Sequence, residues 1–378
     1  MKTVRWRKFS ALPFAGPRWL LTGFILLASA SGLCAAFPGG RGCDGRSPGC
    51  ALDAAKLDRF LAGAVGEWRN GCSLLLIRDG KIIYEKSFGG FNPREPFPIA
   101  SATKWMTGAV VLTLMDEGKL SLDDPTSRYL PEFAGAKARI TVRQLLFHAS
   151  RLPMAGPALE RRDITLEQAV DAIAAVPLMS APGQVCMYGD VSIQVAGRIA
   201  EIASGIGGPS GRIWKGLFTS RLSTPLEMTG TSCEGSAPTD NPHLAGGAIS
   251  TSGDYANFLV MLLNKGKFRG RRVLSEAAVA EMFRDQIRGS PLRFNPFQSL
   301  AELHPGWREV RYGICNWLEV VDPATGKILE ASSPGVFGFC PWIDFGRNMV
   351  GVFAADCGME KALPVYLGLK ALIRGLTR

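Results

Sequence analysis

The apolar positions along this chain change period several times, and each change predicts an element. Residues 51–67 place apolar side chains at helical spacing and predict a helix. The next stretch, Cys72-Ser73-Leu74-Leu75-Leu76-Ile77, is a nearly continuous apolar run. Arg78-Asp79-Gly80 follows it, and then Lys81-Ile82-Ile83-Tyr84-Glu85-Lys86. Two strand-like runs joined at Asp-Gly predict a β-hairpin. Residues 101–117 return to a helical apolar face and stop at Gly118, a suitable C-terminal cap. From 141 to about 240, short helical segments alternate with Pro and Gly, and 255–265 predicts one more helix. Strand patterns reappear at 311–320, 328–332 and 347–356, with turns at Asp322-Pro323-Ala324-Thr325-Gly326 and Phe345-Gly346, before a final helix over about 360–376. Strands at both ends with helices between them predict an α/β protein of the α+β type, with one sheet assembled from distant segments. The expected division is a sheet-containing domain over 51–140 and 241–378, with an inserted, mainly helical region over 141–240.

The first 50 residues read differently. Lys2, Arg5, Arg7, Lys8 and Arg18 precede or flank the apolar run from Trp19 to Ala28, with no acidic residue before position 37. A basic segment leading into a short apolar one predicts a signal peptide or N-terminal anchor over 1–36. Ala28-Ser29-Ala30 offers a cleavage site and Cys34-Ala35-Ala36 a weaker one, while Arg18 beside the apolar run keeps an uncleaved anchor in the inner membrane open. Bulky Leu33 before Cys34 argues against lipidation. Residues 37–50, rich in Gly, Pro and Cys, predict a linker. The expected location is periplasmic or secreted, or anchored to the inner membrane by these residues.

Removing those five cations from the formal charge of +10 leaves +5 for the rest, a mild bias. There is no basic stripe with interleaved aromatics, so nucleic acid is not an expected partner; Arg161 and Arg162 read as a solvated face. With 47% hydrophobic and 20% charged residues, the composition excludes a disordered chain, a coiled coil and a collagen-like fibre. No apolar run beyond the first 40 residues reaches the roughly 18–20 that span a bilayer, which excludes a multi-pass membrane protein. Beyond Cys34 the cysteines number eight: Cys43, Cys50, Cys72, Cys186, Cys233, Cys315, Cys340 and Cys357. In an exported protein an even number predicts disulfides, with Cys43–Cys50 the local pair. There is no C-x-x-C, and His148, His243 and His304 stand apart, so neither a metal nor an organic cofactor is expected.

Candidate chemistry begins at Ser101-Ala102-Thr103-Lys104, which opens the helix of 101–117. Residues i and i+3 share a helix face, so Lys104 can reach the Ser101 hydroxyl. Serine needs a base to become a nucleophile, and a desolvated lysine can supply it. Free N–H groups at the helix start favour a developing oxyanion. The competing explanation is that Ser101 merely caps the helix.

The wider context resembles the serine β-lactamase and penicillin-binding-protein superfamily, most of all its class C β-lactamase and esterase branch. The resemblance rests on Ile99-Ala100-Ser101-Ala102-Thr103-Lys104 and on Glu117-Gly118-Lys119-Leu120-Ser121-Leu122-Asp123-Asp124-Pro125. Ile140-Thr141-Val142-Arg143-Gln144-Leu145-Leu146-Phe147-His148-Ala149-Ser150 resembles the passage entering the helical region. Pro182-Gly183-Gln184-Val185-Cys186-Met187-Tyr188-Gly189-Asp190 resembles the second catalytic motif. Ala245-Gly246-Gly247-Ala248-Ile249-Ser250-Thr251 is similar to the return to the sheet domain, and Ser333-Pro334-Gly335-Val336-Phe337-Gly338 sits where the third motif belongs. The matches keep the family order from about residue 55 to the C-terminus.

The resemblance implies a β-lactamase/transpeptidase-like fold, an antiparallel sheet flanked by helices. It implies catalysis by Ser101, Lys104 and Tyr188, with Tyr188 as proton shuttle, an oxyanion hole from the Ser101 and Val336 N–H groups, and Gly335 allowing close backbone approach. Asp190 departs from the family's Asn: ionised, it accepts only, and it could pair with Lys104. Ser333 departs from a cation that binds a substrate carboxylate, so neutral esters, amides or other acyl donors gain over penicillins. Arg151 replaces a family glycine. His148 and His243 are expected to be structural, and His304 belongs to an aromatic, Pro-rich segment, 291–309, that could line the cleft. The implied function is that of a monomeric serine hydrolase working through an acyl-enzyme on an ester, amide or β-lactam, including a peptidoglycan-derived acyl substrate. Acyl transfer in place of hydrolysis stays open. The alternative is a catalytically inactive binding module of the cell envelope, motivated by Asp190 and Ser333.

Overall fold

Two parts of the chain more than 200 residues apart meet in one sheet. Strands β1 (Cys72–Arg78) and β2 (Lys81–Phe88) form the expected hairpin, turning at Asp79 and Gly80, both at positive φ. The C-terminal part supplies β3 (Arg311–Tyr312), β4 (Trp317–Val321), β5 (Ile328–Ser332), β6 (Phe339–Asp344) and β7 (Met349–Ala355). The sheet order is β2-β1-β7-β6-β5-β4-β3, and every neighbouring pair is antiparallel. The join between the two parts runs from Cys72 opposite Ala355 to Arg78 opposite Met349. This is a computed structural model, and it describes residues 52–66, 68, 70–287, 291–294 and 310–376. The signal or anchor segment, the linker, the Cys43–Cys50 pair and His304 lie outside those residues.

Five of the described helices frame the sheet and position the site: α1 (Ala54–Val65), α2 (Ala102–Asp116), α3 (Val191–Ser204), α4 (Ser252–Leu263) and α5 (Met359–Leu376). Strand side chains alternate between faces, so a strand buried on both sides feeds two cores. Leu74 and Leu76 of β1, with Phe353 of β7 and Trp342 of β6, pack against Leu57 and Leu61 of α1 and Leu363, Tyr366 and Leu369 of α5. Leu75, Ile77, Val350, Val352 and Ile343 point the other way, into a core shared with α2, α3 and α4. Helix α2 is buried on all sides from Ala102 to Leu114, as befits a central helix. The helical region of 141–240 contributes Ile193, Ile199 and Leu217 to the same core as the sheet, within one compact unit.

The structure corrects three expectations. The strand expected over 311–320 is two strands, broken at residues 313–316, where Cys315 takes a φ of 60°. Strand β6 is not among the expected strands; proline is rare in a strand interior, yet all six of its residues, Pro341 included, are buried, and the Pro341 carbonyl accepts from the Ser333 N–H. The six described cysteines are all free thiols, so disulfides among them are not formed. Cys72 and Cys340 lie on strands separated by β7. Strands two apart stand about 9–10 Å from each other, beyond the reach of a disulfide. Cys186 and Cys315 donate to the Phe147 and Leu146 carbonyls instead. Among the described residues no helix is long and apolar enough to cross a membrane.

Candidate active site

The site starts from a constrained turn. Phe97–Pro98 forms a short antiparallel pair with Ile249–Ser250, and the Ile99 N–H donates to the Ala248 carbonyl at 3.1 Å. Ala100 then adopts a φ of 45°, a left-handed conformation that an L-residue holds only against strain. This reversal places Ser101 at the head of α2, with its side chain making no cap hydrogen bond. The capping explanation for Ser101 therefore fails, and its hydroxyl is available for other chemistry.

Lys104, one turn on, is fully buried. Its ammonium donates to Ser101 Oγ at 3.2 Å, to the Ala245 carbonyl at 2.8 Å, and to Asp190 Oδ1 at 2.7 Å. Burial alone would pull its pKa down, but the Asp190 carboxylate and Tyr188 outweigh it and hold Lys104 above the ordinary lysine value. Asp190 shows the matching behaviour. Burial pushes its carboxyl up, and Lys104 and His243 pull it well below the usual carboxylate range.

Tyr188 lies between these groups and an aromatic nest. Ser101 and Lys104 both favour the ionised form of its hydroxyl, and the Lys104 ammonium sits 4.7 Å from its ring centre. Burial raises the Tyr188 pKa, with Lys104 opposing. His148, Tyr312 and Trp317 surround the ring at centroid distances of 4.7, 6.1 and 5.2 Å. His148 is buried, with its ring nitrogens facing Ser192 Oγ and the Tyr312 hydroxyl; burial and Lys104 push its pKa down to about 3, so it stays neutral. It acts as a support for Tyr188. Gly189, next in the chain, has no room for a side chain, because a Cβ would lie 2.5 Å from Met154 Cα.

The third motif approaches from the end of β5. The Ser333 hydroxyl donates to the Ser101 carbonyl at 3.1 Å, and Ser333 is buried. It holds the Ser101 backbone and does not line the cleft. Gly335 packs on the same turn, and a Cβ there would fall 2.0 Å from the Ile99 carbonyl oxygen. Neither the Ser101 nor the Val336 N–H has a hydrogen-bond partner among the described residues. Arg151, at the family glycine's place, keeps the glycine-like backbone with a φ of 63°.

The sequence reading missed the closeness of His243. Its Nε2 lies 3.4 Å from Asp190 Oδ2, its Nδ1 lies 3.9 Å from Glu160 Oε1, and the residue lines the same cleft as Ser101. The available signal was its position three residues before Gly246-Gly247, a turn whose two N–H groups donate back to the His243 carbonyl. Tyr312 and Trp317 were missed for lack of any motif. The cleft is also lined by Leu159, Arg162 and Glu234, with Val336 and Phe337 half-exposed at the rim. The guanidinium of Arg162 donates to the Glu234, Ala237 and Pro238 carbonyls.

A family model described as Beta-lactamase matches residues 57–344. Esterase EstB of Burkholderia gladioli is 33% identical over 180 residues, covering 40% of this chain and 46% of its own, so this chain spans about half the length of that relative. Protein Rv1367c of Mycobacterium tuberculosis is 30% identical over 295 residues, 65% of this chain and 71% of its own. Among solved structures, that of a "putative beta-lactamase" from Bacteroides dorei DSM 17855 superposes with a TM-score of 0.75 at 30% identity, covering 86% of this chain and 99% of the other.

Proposed function

Because this chain belongs to the Beta-lactamase family, we propose that it is a serine hydrolase that works through an acyl-enzyme on Ser101. Ser101 Oγ attacks a carbonyl carbon and the Ser101 and Val336 N–H groups receive the oxyanion; as the bond to the leaving group breaks, the Ser101 proton is relayed through the Tyr188 hydroxyl, beside Lys104, to that group, so the pair ends as protonated as it began. The observation that carries this reading is the buried Lys104 ammonium 3.2 Å from a serine hydroxyl that caps nothing.

The cleft favours an uncharged acyl donor with an apolar part. Its lining carboxylates are Glu160, Asp190 and Glu234, and its lining cation, Arg162, is engaged by main-chain carbonyls. A substrate carboxylate meets no cation at the place where Ser333 stands, while Val336 and Phe337 offer apolar surface. An ester or amide fits this better than a penicillin. The N-terminal 36 residues support work outside the cytoplasm.

The rival reading, a binding module without catalysis, draws on the Asp190–Lys104 ion pair, which keeps the lysine charged. The experiment is the intact mass after exposure to a small fluorophosphonate. A single adduct on the wild type and none on Ser101→Ala supports the hydrolase, and short-chain esters should then turn over faster than β-lactams. An unlabelled, folded wild type would overturn the hydrolase reading and favour the binding module.

A further inference from the structure

Resolving an acyl-enzyme needs a base for the incoming water, and Lys104, Tyr188 and His148 do not supply one. The Lys104 ammonium has three N–H donors and no acceptor, and Ser101, Ala245 and Asp190 take all three. The Tyr188 hydroxyl, raised by burial, keeps its proton, and His148 is shut inside the protein between Ser192 and Tyr312. His243 differs in both respects. It opens on the cleft, and its Nε2 is buried with no aligned hydrogen-bond partner, 3.4 Å from Asp190 Oδ2. The same carboxylate holds Lys104 through Oδ1 at 2.7 Å. Asp190 therefore joins the lysine side of the site to the imidazole side. An Asn at 190 could not attract the ring with a charge.

We propose that His243, oriented by Asp190, is the base that takes the proton of the deacylating water. This rests on the Ser101 acyl-enzyme proposed above. With Nε2–H turned to Asp190, Nδ1 is left as acceptor on the side of Glu160. The groups facing the ring are Asp190 and Glu160, with Arg162 and Glu234 elsewhere on the cleft wall and Lys104 behind Asp190. In the step, a water proton goes to Nδ1 as the water oxygen bonds to the acyl carbon. The tetrahedral adduct then breaks its bond to Ser101 Oγ. Oγ regains a proton from the Tyr188–Lys104 pair, which is refilled as the carboxylic acid product ionises, and the His243 proton leaves to solvent.

The test compares His243→Ala and His243→Gln with the wild type. Fluorophosphonate labelling of Ser101, which reads acylation, should stay within about threefold of wild type. Turnover of a p-nitrophenyl ester should fall about 10²- to 10⁴-fold, the range of a lost general base. Intact mass should show the acyl-enzyme accumulating, and added imidazole should restore turnover to His243→Ala, which a structural role would not allow. Wild-type turnover in both variants overturns the proposal, as does labelling that falls in step with turnover. A wild type that never labels at Ser101 overturns the parent reading and this one together, so the two failures are distinct.

Discussion

Lys104 is an ammonium surrounded by acceptors in a place where burial would strip its proton, and the Asp190 carboxylate, with Tyr188 beside it, reverses the balance. That makes Asp190 the residue that fixes the charge state of the site. Asp190→Asn keeps the shape and removes the charge, so burial then acts on Lys104 unopposed by an ion pair and its pKa falls. The neutral amine becomes accessible at lower pH and can take the Ser101 proton directly. The expected result is a fluorophosphonate labelling rate that begins to climb at a lower pH in Asp190→Asn than in the wild type. Each unit of lowered pKa gives about tenfold more free amine at a fixed pH below it. A flat profile in the variant would show that the lysine does not act as the base even when it is free to. Labelling reads acylation alone, so any effect of the same change on His243 does not enter.

At the scale of elements, the site is a junction between the turn before α2 and the end of β5, and both sides are backbone. Gly335 meets the Ile99 carbonyl with no space for a Cβ, which explains how Val336 comes to lie beside Ser101. Gly335→Ala must push one backbone off the other. Overpacking of this kind costs about 1–3 kcal/mol, and the displaced Val336 N–H should slow Ser101 labelling by at least about tenfold. Gly63→Ala, on α1 with open space around it, is the control; it should leave labelling unchanged and raise stability by about 0.5–1 kcal/mol. Labelling rates and melting temperatures of the two variants check this. The hairpin and α2 were legible in the sequence because local signals bound them, Asp79-Gly80 between the two strands and Gly118 after the helix. Ser101, Lys104, Tyr188 and Gly335 were legible because short local motifs carry them. Strand β6 departs from the usual strand pattern, since Pro341 sits in the sheet interior while its carbonyl serves Ser333. His243 was hidden for another reason: its meaning comes from Asp190, 53 positions away, and a fold brings them together where no motif does.

Across the whole molecule, α5 is tied at its start to the turn that follows β5 and near its end to β4 and β5. Its first residue, Met359, donates its N–H to the Val336 carbonyl at 2.8 Å, beside the cleft. Near its other end Lys370 pairs with Glu319 and with Glu330, and the Arg374 guanidinium takes both Glu330 oxygens at 2.8 Å. Tyr366 and Ser332 donate to the same Glu319 carboxylate. The two glutamates and Lys370 are buried, so their charges persist only while all are paired. Burial pushes the Glu330 carboxyl up, yet Lys370 and Arg374 outweigh it and bring its pKa from 4.5 down to about 2. A depressed carboxylate stabilises the fold above its unfolded pKa and loses that contribution as pH falls through the folded value. The window is therefore about pH 4.5 down to 2, and a shift of this size corresponds to about 3 kcal/mol. Glu330→Gln should lower the melting temperature at pH 7, because Arg374 loses its partner and Lys370 one of two. Between pH 5 and 2.5 it should lose stability less steeply than the wild type, having no Glu330 left to protonate. Thermal melts of both proteins across that range decide the matter, and parallel curves would show that the acid sensitivity lies in other carboxylates. Because β5 leads directly into Ser333 and Gly335, ester turnover in Glu330→Gln should fall on heating at the same temperature at which α5 releases the sheet.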